Sequence, residues 1–108
     1  MAALTGRMTA AEKDDVMARF GRVDLLCNNA GVAFAGTAVD EATDRDWDWV
    51  IGVNLYGPIN FIQAFVPLIK RHGEGGHVVN TASIAGFQIR PGFRSGVYGT
   101  SKYAVVAL

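Results

Sequence analysis

Apolar positions along the chain alternate between helical spacing and short unbroken runs. Val16, Met17 and Phe20 form a narrow stripe at helical spacing. Thr9-Ala10-Ala11-Glu12 in front of it is a capping box, whose threonine and glutamate side chains would satisfy free backbone donors, and Gly21 behind it is a left-handed stop. A short helix over 10–20 is predicted. Val23 to Cys27 is mostly apolar and too short for a helix. Although Asp24 interrupts it, the run suits a parallel strand covered on both faces, with Cys27 a small buried hydrophobe. A loop from Asn28 to Ala42 follows. Thr43-Asp44-Arg45-Asp46 then opens a long helical pattern that lasts to about Arg71, where His72-Gly73-Glu74-Gly75-Gly76 breaks it. Val78 to Ala82 reads as a second strand, Ser83 to Gly96 as a loop, and a last helix begins near Val97.

Strand, long helix and strand make a βαβ unit, with parallel strands and a right-handed crossover. Two strands alone leave both sheet edges unpaired, so the unit is expected to be cut from something larger. The long helix is apolar almost all round, with Ile59, Ile62, Val66 and Ile69 on one side and Phe61, Phe65 and Leu68 on another. One face can cover the sheet, and the other needs a second partner such as another subunit. Trp49 to Ile69 is long enough, at about 20 residues, to suggest a membrane span. It nevertheless holds Asn54, Asn60, Gln63, Pro58 and Pro67, and a helix buried inside a protein explains these better than a bilayer does.

Composition narrows the picture further. The 108 residues suit one domain. Ten basic residues balance ten acidic ones, so no basic stripe is available to neutralise a phosphate backbone, and nucleic-acid binding is not expected. The single cysteine cannot form an internal disulfide, which fits a reducing compartment. Met1 to Ala10 has no continuous apolar stretch of signal-peptide type, and a cytoplasmic location is expected.

Candidate chemistry starts at Tyr98-Gly99-Thr100-Ser101-Lys102. Positions four apart share a helix face, so the phenol and the ammonium can serve one site. A fixed positive charge favours phenolate and lowers a tyrosine pKa from about 10, which lets the phenol exchange a proton with a carbonyl or an alcohol. Alone, this spacing also describes an ordinary surface helix with a solvated lysine. Asn28-Asn29-Ala30-Gly31 directly follows the first strand, at the sheet edge where open parallel sheets bind ligands, although Asn and Gly also simply favour turns. Ser83 follows the second strand at the same edge, where its hydroxyl could donate to a substrate oxygen. Asn54 lies four residues before Pro58. That proline has no N–H and crowds the Asn54 carbonyl, which is freed to hold a water or simply marks a kink.

Taken together, Asn28-Asn29-Ala30-Gly31, Asn54, Ser83, Tyr98 and Lys102 resemble the short-chain dehydrogenase/reductase family in order and nearly in spacing, over roughly Gly21 to Leu108. The resemblance implies an α/β fold, a partial Rossmann-type doubly wound parallel sheet, with residues 1–108 as the central and catalytic part of a single NAD(P)-binding domain. It implies an oxidoreductase that moves a hydride between NAD or NADP and a carbonyl or alcohol substrate, with no metal. By the same resemblance, Tyr98 is the acid/base, and Lys102 lowers its pKa and binds the nicotinamide ribose. Ser83 positions the substrate, and the Asn54 main-chain carbonyl holds a water in the proton relay. Asn29, Ala30 and Gly31 line the adenosine side of the cofactor. The long helix and the helix from near Val97 resemble the family's dimer surface, so a homo-oligomer, dimer or tetramer, is expected.

The sequence departs from that family in several places. The glycine-rich turn Thr-Gly-x-x-x-Gly-x-Gly is absent. Thr5-Gly6 begins like it, but Ala10 and Glu12 stand where glycines are needed. Gly73-Glu74-Gly75-Gly76 is no substitute, because it follows a helix and precedes a strand, the reverse of a phosphate loop. The strand whose end chooses between NAD and NADP is also missing, as are the later strands. The loop between Ser83 and Tyr98 is about two residues longer than usual by comparison with the family pattern. These losses predict that the 108-residue chain alone binds NAD(P)H weakly and tends to associate. They also keep a second reading open, a non-catalytic remnant that acts as an oligomerisation or regulatory module.

Overall fold

Two four-residue strands, β1 (Leu25–Asn28) and β2 (His77–Asn80), pair in parallel, with Leu25 opposite His77 and Asn28 opposite Asn80. This sheet is the βαβ unit expected from the pattern. The computed structural model describes residues 10–108. α1 (Ala10–Phe20) precedes β1, and the Thr9 half of its expected capping box lies outside the described residues. The crossover between the strands is α2 (Asp44–Ile51), a π-helical turn (Gly52–Tyr56) and α3 (Gly57–His72), and α4 (Gly96–Ala107) closes the described chain. Both strands sit within two residues of their expected positions, and α4 starts one residue early.

The Thr43 hydroxyl accepts from the Asp46 N–H at 3.3 Å and the Asp46 carboxylate accepts from the Thr43 N–H at 2.9 Å, a reciprocal cap that starts α2. These bonds from Thr43 hold the Asp46 carboxyl below its ordinary pKa. Gly73, with φ 74°, ends α3 in the left-handed region that a side chain rarely adopts.

The long helix is not one α-helix. The Gly57 N–H donates to the Gly52 carbonyl, a five-residue step, and the next position is Pro58, which has no N–H to offer. The ladder therefore cannot continue in register there, and the π turn absorbs the break. Asn54 lies inside this turn and is buried. Pro67 sits at an exposed position within α3, where a carbonyl it frees can meet water.

Packing falls in two places. Against one face of the sheet, Leu26, Phe65 and Ile69 form a buried cluster, flanked by Val16, Val23, Phe61, Ile62, Ala64 and Leu68. Between α2, the π turn and α4, Val50, Val97 and Val105 are buried. The other sheet face is bare among the described residues, and this corrects the expectation of a strand covered on both sides. Leu25 is 57% exposed, Val79 is 48% exposed, and Cys27 is exposed rather than buried. The reason is geometric: side chains alternate along a strand, and only one face has a helix on it. The span Asp44–His72 is long and apolar enough by composition to cross a membrane, but here it packs on both strands and on α4.

Candidate active site at the carboxyl edge of the sheet

Past the ends of both strands, four separate segments converge on a buried polar cluster. Asn54 is its hub. Its Oδ1 accepts from the Val32 N–H at 2.8 Å, and its Nδ2 donates to the Val32 carbonyl at 3.0 Å and to Ser101 Oγ at 3.0 Å. The donor at Val32 N fixes which way the amide faces, and both of its N–H groups are used. The loop after β1, the π turn and α4 are thus bonded through one side chain. Ser101 is completely buried, and its hydroxyl donates to the Tyr98 carbonyl at 2.7 Å.

Lys102, the next residue, is only 5% exposed. Its Nζ donates to the Thr81 carbonyl at 3.1 Å, just beyond β2, and lies 5.7 Å from the centre of the Tyr98 ring. A Cβ added to Gly31 would stand 3.4 Å from both Lys102 Nζ and Asn54 Oδ1, so the loop backbone passes directly over these two groups. No carboxylate pairs with this buried ammonium among the described residues. Burying a cation without a counter-charge is costly, and the site is therefore primed to take an electron-rich partner.

Ser83 opens a single 3₁₀ turn (Ile84–Gly86), its Oγ accepting from the Ala85 N–H at 3.2 Å. That turn lies on α4. A Cβ at Gly86 would come within 2.7 Å of the Lys102 carbonyl, so only a glycine permits this approach, and the Ala85 carbonyl reaches Gly99. The turn therefore holds the loop beginning at Ser83 against the stretch that carries Tyr98 and Lys102. Asn29 accepts from Thr81 Oγ1 at 3.1 Å and Asn28 donates to Asn80 at 2.8 Å, tying the two strand ends together, while Ala30 is exposed. The residues expected from the sequence thus occupy one edge.

Comparison with known proteins decides the family: the family model described as short chain dehydrogenase matches residues 6–108. The chain belongs to this family. A relative in Mycobacterium tuberculosis, named an uncharacterized NAD-dependent oxidoreductase, is 44% identical over 94 residues, which are 87% of this chain and 33% of that protein. A short chain dehydrogenase/reductase from Burkholderia phymatum, solved in complex with NAD, matches with a TM-score of 0.83 and 42% identity, over 90% of this chain and 34% of that one. A metagenomic short-chain oxidoreductase in complex with NADP matches at a TM-score of 0.81 and 34% identity, over 91% of this chain and 43% of that one. The chain spans about a third of the length of the curated relatives it matches. Its parallel strands and flanking helices are a partial Rossmann-type fold.

Within this short-chain dehydrogenase chain, sequence reasoning overlooked the side chain of Asn54 and the parts played by Ser101, Thr81 and Val32. Reading Asn54 only for its main-chain carbonyl missed the side chain that links Val32 to Ser101. Ser101 carried a usable signal, because it lies three residues after Tyr98 and so falls on nearly the same helix face. Val32 and the Thr81 carbonyl carried none, since almost any residue could supply these backbone groups. A depression of about 900 Å³, lined by Trp47, Trp49, Val53, Tyr56 and neighbours, shares no residue with the polar cluster.

Proposed function

We propose that the chain is the central and catalytic part of a single NAD(P)-binding domain, in an oxidoreductase that reduces a small carbonyl compound or oxidises the corresponding alcohol. The observation that carries this reading is the buried ammonium of Lys102, which lacks a carboxylate partner and sits beside the Tyr98 ring. A lysine that only stabilised the fold would be expected to reach water or an acid.

An NAD(P) molecule fits these residues. Lys102 has three protons, one of which goes to Thr81, so two can serve ribose hydroxyls and the phenol oxygen. Gly31 keeps the loop backbone clear of bulk where it faces Lys102, and Asn29 and Ala30 beside it would line the adenosine side. When bound, the nicotinamide supplies or accepts the hydride. The protein's own part is proton transfer and positioning. In reduction, Tyr98 gives its hydroxyl proton to the carbonyl oxygen, Ser83 donates a hydrogen bond to that oxygen, and the positive charge of Lys102 stabilises the phenolate left behind. The proton is restored through a water on the main-chain carbonyl of Asn54, and oxidation runs these transfers backwards.

The groove along Trp49 and Tyr56, together with the exposed Tyr103 and Val106 of α4, is the surface through which we expect two copies to associate. The test of the reaction is direct. A full-length enzyme that carries this chain is incubated with a panel of aldehydes and ketones and with NADH or NADPH deuterated at C4. Deuterium appearing on the product carbinol carbon supports the reading, and failure to oxidise either cofactor with any member of the panel contradicts it.

A further inference from the structure

Ser101 is not among the residues given a role in the proposed reaction, yet it is the most enclosed polar group of the cluster. It is 0% exposed, and its one proton is committed to the Tyr98 carbonyl, so towards Asn54 it can only accept. Asn54 in turn has no spare N–H, because its second one goes to the Val32 carbonyl. The result is a directed chain of bonds, from the loop after β1 through the π turn to the first turns of α4. The π turn is the part of the crossover least able to hold its own shape. Its α ladder is interrupted before Pro58, and a turn whose internal bonding is irregular takes its position from what it is tied to.

We infer that Ser101 is a positioning residue: its hydroxyl fixes Asn54, and with it the π turn, at the distance from Lys102 that proton return requires. The inference rests on the reading of Tyr98, Lys102 and Asn54 given above, which it deepens. Its physical content is that Ser101 acts on proton movement and not on binding. Lys102 and Gly31 keep their own contacts when the serine hydroxyl is removed, whereas Asn54 loses its hold on α4. Ser101→Ala should therefore lower kcat about tenfold, while KM for NAD(P)H and for the carbonyl substrate changes less than about twofold. Because the proton step becomes more rate-limiting, the solvent deuterium isotope effect on kcat should rise. A serine that merely supported the fold would lower the amount of active enzyme and leave the isotope effect where it was.

In a full-length enzyme that carries this chain, the experiment measures kcat, both KM values and the solvent isotope effect for wild type, Ser101→Ala, Ser101→Thr, Asn54→Ala and the Ser101→Ala/Asn54→Ala double variant, with the exposed Thr100→Ala as a control. We expect Ser101→Thr, which keeps a hydroxyl, to recover the wild-type isotope effect. We expect the double variant to be no slower than Asn54→Ala alone, since both changes break one link. If Ser101→Ala does not fold, Ser101→Cys, similar in size but a feebler hydrogen-bonding group, is read in the same way. An unchanged isotope effect in the folded variant, or losses that multiply in the double variant, would overturn the inference. Tyr98→Phe run in parallel separates the two levels: full activity there defeats the catalytic reading itself, whereas an inactive Tyr98→Phe beside a normal Ser101→Ala defeats only the role of the serine.

Discussion

Lys102 has three protons to place in a space almost closed to water, and the fold assigns one of them to the Thr81 carbonyl. This residue and Tyr98 were legible from their four-residue spacing, because a helix brings such positions to one face whatever else the chain does. Asn54 was legible for a different reason: a proline four residues later disturbs backbone bonding in any helix. What the sequence hid was the partner of each group. Backbone carbonyls at Val32 and Thr81 carry no signature, and a buried serine is indistinguishable from an exposed one until the helix has a neighbour. Asn54→Ala should strand the Val32 N–H and C=O in a partly buried setting, at up to about 1–3 kcal/mol for each group left without a partner. Chemical denaturation checks this. A loss below about 0.5 kcal/mol would mean that water enters and replaces the amide.

The elements themselves were mostly visible, since period and caps decide them locally. The Thr43–Asp46 cap, the glycine stop at Gly73 and the two short strands all lay within a few residues of their expected places. The division of the long helix was not visible as a π turn, because a proline predicts a break without saying how the turn before it will bond. Thr43→Ala should remove the acceptor for the Asp46 N–H and cost about 1 kcal/mol by thermal or urea unfolding. The same cap carries a pH dependence. Because bonding to Thr43 lowers the folded-state pKa of Asp46, its contribution is present above the ordinary aspartate range and is lost as pH falls through the lowered value. The gap in melting temperature between wild type and Asp46→Asn should accordingly be widest near neutrality and close in acid, and a gap independent of pH would contradict this account of the cap. In α3, Phe65→Ala should cost about 3–5 kcal/mol, since the ring fills the centre of the cluster on Leu26.

On the scale of the whole molecule, burial was the least legible property. The apolar run around Cys27 reads as a strand with two covered faces, yet the described chain provides cover for one. Side-chain period is local, but what lies across a sheet is not. The bare face, with Leu25, Cys27 and Val79, and the groove at Trp49 and Tyr56 leave apolar side chains open to solvent, which favours association. The 108-residue chain expressed by itself should therefore sediment as concentration-dependent oligomers, and a monomer at all concentrations would count against an interface along the long helix. It should also bind NAD(P)H weakly, because its sequence contains no glycine-rich turn to hold the pyrophosphate. The central claim, a phenol that exchanges protons beside a buried ammonium, is tested most directly by the turnover of Tyr98→Phe in an enzyme of natural length that still binds its cofactor. The account predicts a fall in kcat of about a hundredfold or more with cofactor fluorescence titration unchanged, and a rate within about twofold of wild type would contradict it.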